Sequence, residues 1–121
     1  VIRNPIQMNE NLFSYGTLQI EKVQLELFGR KLQGVGDAVR GYNISTIEIK
    51  DEAVLSTSEQ KVHLIAVPSK DETGLINGTV FEITDEELQV ADQYETEDYK
   101  RDRVKLESGK EAWIYVAAQT P

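Results

Sequence analysis

The chain has 121 residues, no cysteine, one histidine (His63) and a formal net charge of −8. Disulfides, thiolate chemistry and cysteine–zinc sites are thereby excluded, and so is a metal centre built on several histidines. The acidic balance argues against nucleic acid or an anionic membrane as partner, because both require a basic footprint, and the length suits one domain, 1–121, whose core needs no staples.

Taken from the N-terminus, the residues before Leu12 (Asn4-Pro5, then Asn9-Glu10-Asn11) read as an entry arm. Leu12 to Leu18 is rich in strand formers and broken by Gly16, which predicts a strand running into a turn. Between Glu21 and Lys31 a helix is expected: Leu25, Phe28 and Leu32 share one helical stripe, with Gly29 its weak point. Gln33-Gly34-Val35-Gly36-Asp37 has turn composition, and Ala38 to Ile49 predicts one long strand. Asp51 to Lys61 is polar and predicts a loop. Val62 to Pro68 alternates as a strand, Ser69 to Gly74 is a turn, and Leu75 to Ile83 is a further strand. Gly78 inside that strand marks a bulge or a close approach by another group. Thr84-Asp85-Glu86-Glu87 is a capping box that opens a helix reaching about Tyr94. Tyr99 to Glu107 and Ala112 to Ala118, joined through Ser108-Gly109, predict a closing hairpin. Five or six strands and two helices give an α+β fold, a small, mixed, mostly antiparallel, barrel-like sheet with flanking helices. No apolar run reaches spanning length and no signal-peptide pattern opens the chain, so a cytoplasmic protein is expected.

Among the ionisable residues Glu95 stands out. On a helix begun at Asp85, the residues Leu88, Ala91 and Glu95 recur at i, i+3 and i+7 and share a face. Burial of the first two directs Glu95 toward the core or a cleft. Burial and the negative end of the helix dipole both disfavour a charged carboxylate there and raise its pKa toward neutrality, which suits proton transfer. The alternative is a carboxylate past the helix end that pairs with Arg101 or Arg103 and has a structural role only. The turn Tyr15-Gly16-Thr17-Leu18 is the second candidate. Glycine lets a ligand approach the backbone, successive N–H groups can cradle a carboxylate, and a helix starting near Glu21 adds its positive end; the alternative is an ordinary strand end. Tyr99, Arg101 and Arg103 alternate onto one strand face, where they either bind an acidic group or answer the surplus of acids. Trp113 and Tyr115 share a face, and Trp113 reads as core. His63 reads as a sheet histidine, and Asp85, Glu86, Glu87 and Asp92 as a solvated acidic rim.

These motifs, in this order, resemble the gamma-glutamylcyclotransferase-like superfamily, and within it the short branch of plant avirulence-induced and gamma-glutamylamine cyclotransferase-like proteins. Phe13-Ser14-Tyr15-Gly16-Thr17-Leu18 is similar to the family signature near the first strand. Gly78-Thr79-Val80-Phe81-Glu82-Ile83 is similar to the strand before its catalytic helix, and Leu88 through Ala91-Asp92-Gln93-Tyr94-Glu95, then Tyr99 and Arg101, to the segment that holds its glutamate. Ala112-Trp113-Ile114-Tyr115-Val116 is similar to the closing strand. The resemblance implies an enzyme without metal or cofactor that cleaves a gamma-glutamyl amide by internal cyclisation, releasing 5-oxoproline and an amine or amino acid. It implies Glu95 as the acid–base group, the backbone N–H groups of Gly16, Thr17 and Leu18 as the holders of the α-carboxylate or the oxyanion, and Tyr15 and Tyr115 as residues that shape the pocket. Gln19, Ile20 and Glu21 stand where many amine-type members carry a Gly- or Arg-containing loop, which leaves the leaving group open, and oligomeric state is not legible. The competing expectation is a non-catalytic module that binds a small carboxylate or a peptide end in the same cavity.

Overall fold

The structure is a computed structural model that describes residues 10–48, 62–70 and 73–119. The entry arm before Glu10, the loop predicted over Asp51 to Lys61, and Asp71 and Glu72 of the predicted turn lie outside the described residues. One sheet contains β1 (Glu10–Ser14), β2 (Gly34–Arg40), β3 (Tyr42–Glu48), β4 (Val62–Pro68), β5 (Leu75–Ile83), β6 (Tyr99–Lys105) and β7 (Glu111–Ala117). The helices are α1 (Glu21–Phe28) and α2 (Asp85–Tyr94). Strand order is β2-β5-β1-β7-β4-β3, with β6 paired to β7 off this path. Four pairings are antiparallel (β1 with β5, β2 with β5, β3 with β4, β6 with β7), and β1 and β4 each run parallel to β7. The fold is therefore the mixed, mostly antiparallel α+β arrangement that the sequence implies, curled into a half-barrel.

Both faces of the curled sheet are buried. Successive side chains of a strand point to opposite faces, and here each face meets a core. Leu12, Phe81, Ile83 and Tyr115 pack with Leu88, Ala91 and Tyr94 of α2 and Val23 of α1. Their neighbours Phe13, Val80, Ile114 and Val116 pack with Val39, Ala66 and Ile76 on the other face. This explains why β7 reads apolar at nearly every position.

Three local expectations are corrected. Gly34-Val35-Gly36-Asp37 is no turn but the first half of β2, laid antiparallel on β5 with Gly34 opposite Phe81. Gly34 is there for space: a Cβ would come within 2.5 Å of the Phe81 ring. The long strand predicted from Ala38 is broken instead at Gly41, whose φ of 95° turns the chain from β2 into β3. Helix α1 ends at Gly29 in the left-handed region (φ 70°), not at Lys31. Its inner face is accordingly Val23, Gln24, Leu27 and Phe28, while Leu25 is 49% exposed. Buried Gln24 is satisfied at both ends: its Nε2 donates to the Leu18 carbonyl (2.8 Å) and its Oε1 accepts from the Leu32 N–H (2.9 Å).

Helix α2 has the predicted capping box. The Glu87 N–H donates to Thr84 Oγ1 (3.1 Å) and the Thr84 N–H donates to Glu87 Oε1 (2.9 Å). Arg30, just past α1, grips the same carboxylate through Nε (2.7 Å) and Nη2 (2.8 Å). That bidentate contact holds the Glu87 carboxyl below the usual range and joins the end of α1 to the start of α2.

Candidate active site

The site lies where the sheet divides. β6 pairs with β7 along its length, from Tyr99 opposite Ala117 to Lys105 opposite Glu111. β1 and β4 therefore share the other edge of β7, β1 at Trp113 and Ile114 and β4 at Val116. β1 stops at Ser14, and residues 15–18 leave the sheet at the fork. The expected turn after the strand begins at Tyr15 and tightens into a 3-10 turn, Thr17–Gln19.

Tyr15 closes that fork. Its hydroxyl donates to the Tyr115 carbonyl of β7 (2.5 Å) and accepts from the Ala66 N–H of β4 (2.8 Å). A phenol thus bridges the two strands at the point where the backbone ladder opens. From the other side Thr17 Oγ1 hydrogen-bonds the Tyr94 hydroxyl at 2.9 Å, and the Gln24 contact holds the Leu18 carbonyl. The turn is fixed by its own Tyr15 side chain, set on the backbone of β4 and β7, and by side chains from α1 and α2.

Between this turn and the end of α2 is a hollow of about 350 Å3, open mouth included. Phe13 to Leu18 line it together with His63, Leu64, Glu95, Tyr99 and Tyr115. Glu95 caps α2: its N–H donates to the Ala91 carbonyl (3.1 Å) and the backbone then turns extended (φ −70°, ψ 136°). Its carboxylate makes no ion pair with Arg101 or Arg103. Arg101 Nη2 faces Asp92 Oδ2 at 3.4 Å, and both guanidinium groups lie over the Trp113 ring at 4.4 and 5.0 Å. Trp113 is correspondingly half-buried, with its Nε1 donating to Glu10 Oε2 at 2.6 Å.

Burial, and after it the nearby Asp92 carboxylate, pushes the Glu95 carboxyl up to about 8. The Asp92 contribution is one that sequence reasoning missed. Asp92 reads as rim, yet its Oδ1 accepts from the Tyr115 hydroxyl (2.7 Å) while Arg101 holds the other oxygen. Its spacing, three residues before Glu95 on one helix, was the available signal.

Each phenol around the hollow has spent its only O–H donor on the protein. Tyr15 donates to Tyr115, Tyr115 to Asp92, and Tyr99 to the Leu64 carbonyl (2.7 Å). Burial raises the pKa of all three, so they remain protonated walls. The Gly16 N–H meets Ser14 Oγ at a long 3.3 Å. The N–H groups of Thr17 and Leu18 find no acceptor among the described residues, as expected at the start of a helical turn. The hollow thus offers a ligand a carboxyl that holds a proton near neutral pH and the backbone donors of Thr17 and Leu18, with the Ser14 hydroxyl and His63 also in its lining. The described residues contain no cluster of three or more His, Cys, Asp or Glu fit to hold a metal.

The family model described as gamma-glutamyl cyclotransferase, AIG2-like, matches residues 12–121. The chain belongs to this family. Among solved structures, this family member is similar to two Arabidopsis thaliana proteins known from solution structures. One is At3g28950.1, 22% identical with a TM-score of 0.64, covering 95% of this chain and 66% of that one. The other is At5g39720.1, 22% identical with a TM-score of 0.69, covering 93% and 70%. A crystal structure of the uncharacterized protein PH0828 from Pyrococcus horikoshii is 21% identical, with a TM-score of 0.63 over 93% of this chain and 81% of that one. These likenesses carry the fold, and the chain spans just under two thirds of the first protein's length. No curated protein matches the chain significantly. No helix among the described residues is long and apolar enough to cross a membrane.

Proposed function

We propose that this member of the gamma-glutamyl cyclotransferase, AIG2-like family cleaves a small gamma-glutamyl amide by internal cyclisation, with Glu95 moving the protons. One observation carries the reading. A carboxyl whose pKa is raised to about 8 shares a hollow with the uncommitted N–H groups of Thr17 and Leu18. The substrate supplies its own nucleophile, its α-amine, so the protein needs none. Glu95, ionised, takes a proton from the α-ammonium. The freed amine attacks the γ-carbonyl carbon, an N–C bond forms, and the carbonyl oxygen becomes an oxyanion. The amide C–N bond then breaks as Glu95 returns its proton to the leaving nitrogen. The α-nitrogen starts with three hydrogens and ends in the lactam with one, so both protons it sheds finish on the released ammonium. No water is consumed. Holding amine and carbonyl in contact supplies much of the acceleration, and N–H donors aimed at the oxyanion or the α-carboxylate supply more. A pKa near the working pH lets one group serve as base and then acid.

Tyr15 and Tyr115 shape this pocket beside Gly16, whose backbone is extended (φ −129°) and where a Cβ would meet no atom within 4 Å. A cytoplasmic setting belongs to the same proposal. The test is incubation with a panel of gamma-glutamyl amino acids and amines, with mass spectrometry for 5-oxoproline. Product with the parent chain and none with Glu95→Gln is expected. Ligand binding without product, unchanged by Glu95→Gln, would overturn the enzyme and leave a binding module.

A further inference from the structure

His63, the only histidine in the chain, is 6% exposed in β4 and lines the same hollow as Glu95. The ladder fixes its side of the sheet. His63 pairs with Ile47 of β3, and directly opposed residues of an antiparallel pair project to one face. Ile47 packs against the cluster that holds Leu88, Ala91 and Tyr94 of α2 and Tyr115 of β7. The imidazole is therefore on the α2 face of β4, and Glu95 caps α2. The other titratable groups of the hollow are the phenols of Tyr15, Tyr99 and Tyr115, and each keeps its proton. Hydroxyls such as Ser14 and Thr17 exchange hydrogen bonds but do not take up a proton near neutral pH. No Lys or Arg is in the lining among the described residues. An imidazole ordinarily gives up its proton at about pH 6.5. Glu95 and His63 are thus the two side chains there that can carry a proton.

We propose that His63 is the second proton acceptor of this hollow, taking the proton that the attacking nitrogen sheds after the ring has formed. This rests on the cyclotransferase reading. The α-ammonium gives its first proton to Glu95. Once the N–C bond has formed, the same nitrogen has two hydrogens and a positive charge, and it must lose one to become the lactam N–H. One carboxyl holds one proton, and Glu95 is still keeping the first for the leaving nitrogen. His63 takes the second: an N–H bond breaks on the ring nitrogen, its electron pair stays there, and an N–H bond forms on the imidazole. The amide C–N bond then breaks as Glu95 protonates the leaving nitrogen, and the imidazolium passes its proton to the released amine. Both side chains end as they began. An imidazole of ordinary value is neutral by the pH at which Glu95 ionises, so the step adds no second limb there.

The experiment follows 5-oxoproline release from one gamma-glutamyl substrate by the full chain with His63→Gln and His63→Ala. Glutamine can hydrogen-bond but cannot carry a proton. Both variants are expected to lose about a hundredfold in kcat, the low end for a positioned proton carrier, with KM little changed. Added imidazole should restore release by His63→Ala in proportion to its concentration and leave the parent unaffected. A purely structural histidine would not respond in this way. Parental kcat in either variant, or a loss that imidazole leaves unrestored, would overturn the proposal while leaving the cyclotransferase intact. If neither variant folds, the lone histidine lets the parent serve. Acylation of His63 by diethyl pyrocarbonate should stop release, and hydroxylamine should restore it; release by the fully acylated chain would overturn the second acceptor. No 5-oxoproline from the parent with any gamma-glutamyl compound would overturn the cyclotransferase itself, and this step with it.

Discussion

Glu95 and Tyr15 carry opposite kinds of constraint, and each makes a thermodynamic prediction. The Glu95 carboxyl is raised from 4.5 to about 8 in the folded chain. Below the lower value it is protonated in both folded and unfolded chains, and its contribution is fully present. As pH rises toward the higher value the unfolded chain loses the proton that the folded chain keeps, so stability falls. Replacing it with an uncharged isostere removes that loss. Glu95→Gln should therefore be more stable than the parent at pH 8.5, by on the order of 5 kcal/mol, and the two should melt alike at pH 4. A variant less stable than the parent at pH 8.5 would show that the carboxylate is held by a partner. Tyr15 is the reverse case. Its hydroxyl serves the Tyr115 carbonyl and the Ala66 N–H, both within the sheet. Tyr15→Phe strands both groups and should cost about 2 kcal/mol in urea denaturation. Because the turn it pins holds the N–H donors, KM should rise more than kcat falls; a variant with the parent's denaturation midpoint would contradict the bridge.

At the scale of elements, the joint between the helices has its own pH signature. Arg30 holds Glu87 below its ordinary value, so the joint is fully formed above the unfolded carboxyl's pKa and is lost as pH falls through the folded one. Arg30→Met should cost about 1 kcal/mol at pH 7, since Arg30 is partly exposed, and the difference in Tm should shrink and vanish as Glu87 is protonated in strong acid. A difference that persists there would assign the effect to packing of the arginine stem. Gly78 gives a prediction independent of pH. A methyl at this position would collide with the Ser14 carbonyl and the Phe13 ring, so Gly78→Ala should destabilise by about 2 kcal/mol or more. Sequence pattern anticipated that close approach, as it did the capping box, because both depend on short-range chemistry. It misread Gly34 and Gly36. Glycine marks a turn and a tight strand contact with the same letter, and at Gly34 only the Phe81 ring across the ladder distinguishes them. The stripe through Leu25 and Leu32 went astray similarly: Gly29 ends α1 three residues before Leu32, and the inward face shifts to Val23 and Gln24.

For the whole molecule, the fold and the family were legible in the order of motifs, from the Tyr15-Gly16 turn through the capped helix to the closing strand, because that order resembles one family's. It could not show that β1 and β4 share an edge of β7, and that fork makes the hollow. Parallel neighbours far apart in sequence leave no local pattern, so the bridging phenol and the Asp92–Tyr115 contact were not legible. The fork brings the N–H turn and Glu95 to one cavity from positions almost eighty residues apart. The most direct test of that arrangement is the pH dependence of 5-oxoproline release from a gamma-glutamyl substrate. The rate should climb with pH along a single limb with a midpoint near 8, the value at which Glu95 ionises, and Glu95→Gln should abolish turnover while leaving the fold intact. Release that is flat through this range, or that survives in Glu95→Gln, would contradict a proton carried by that carboxyl.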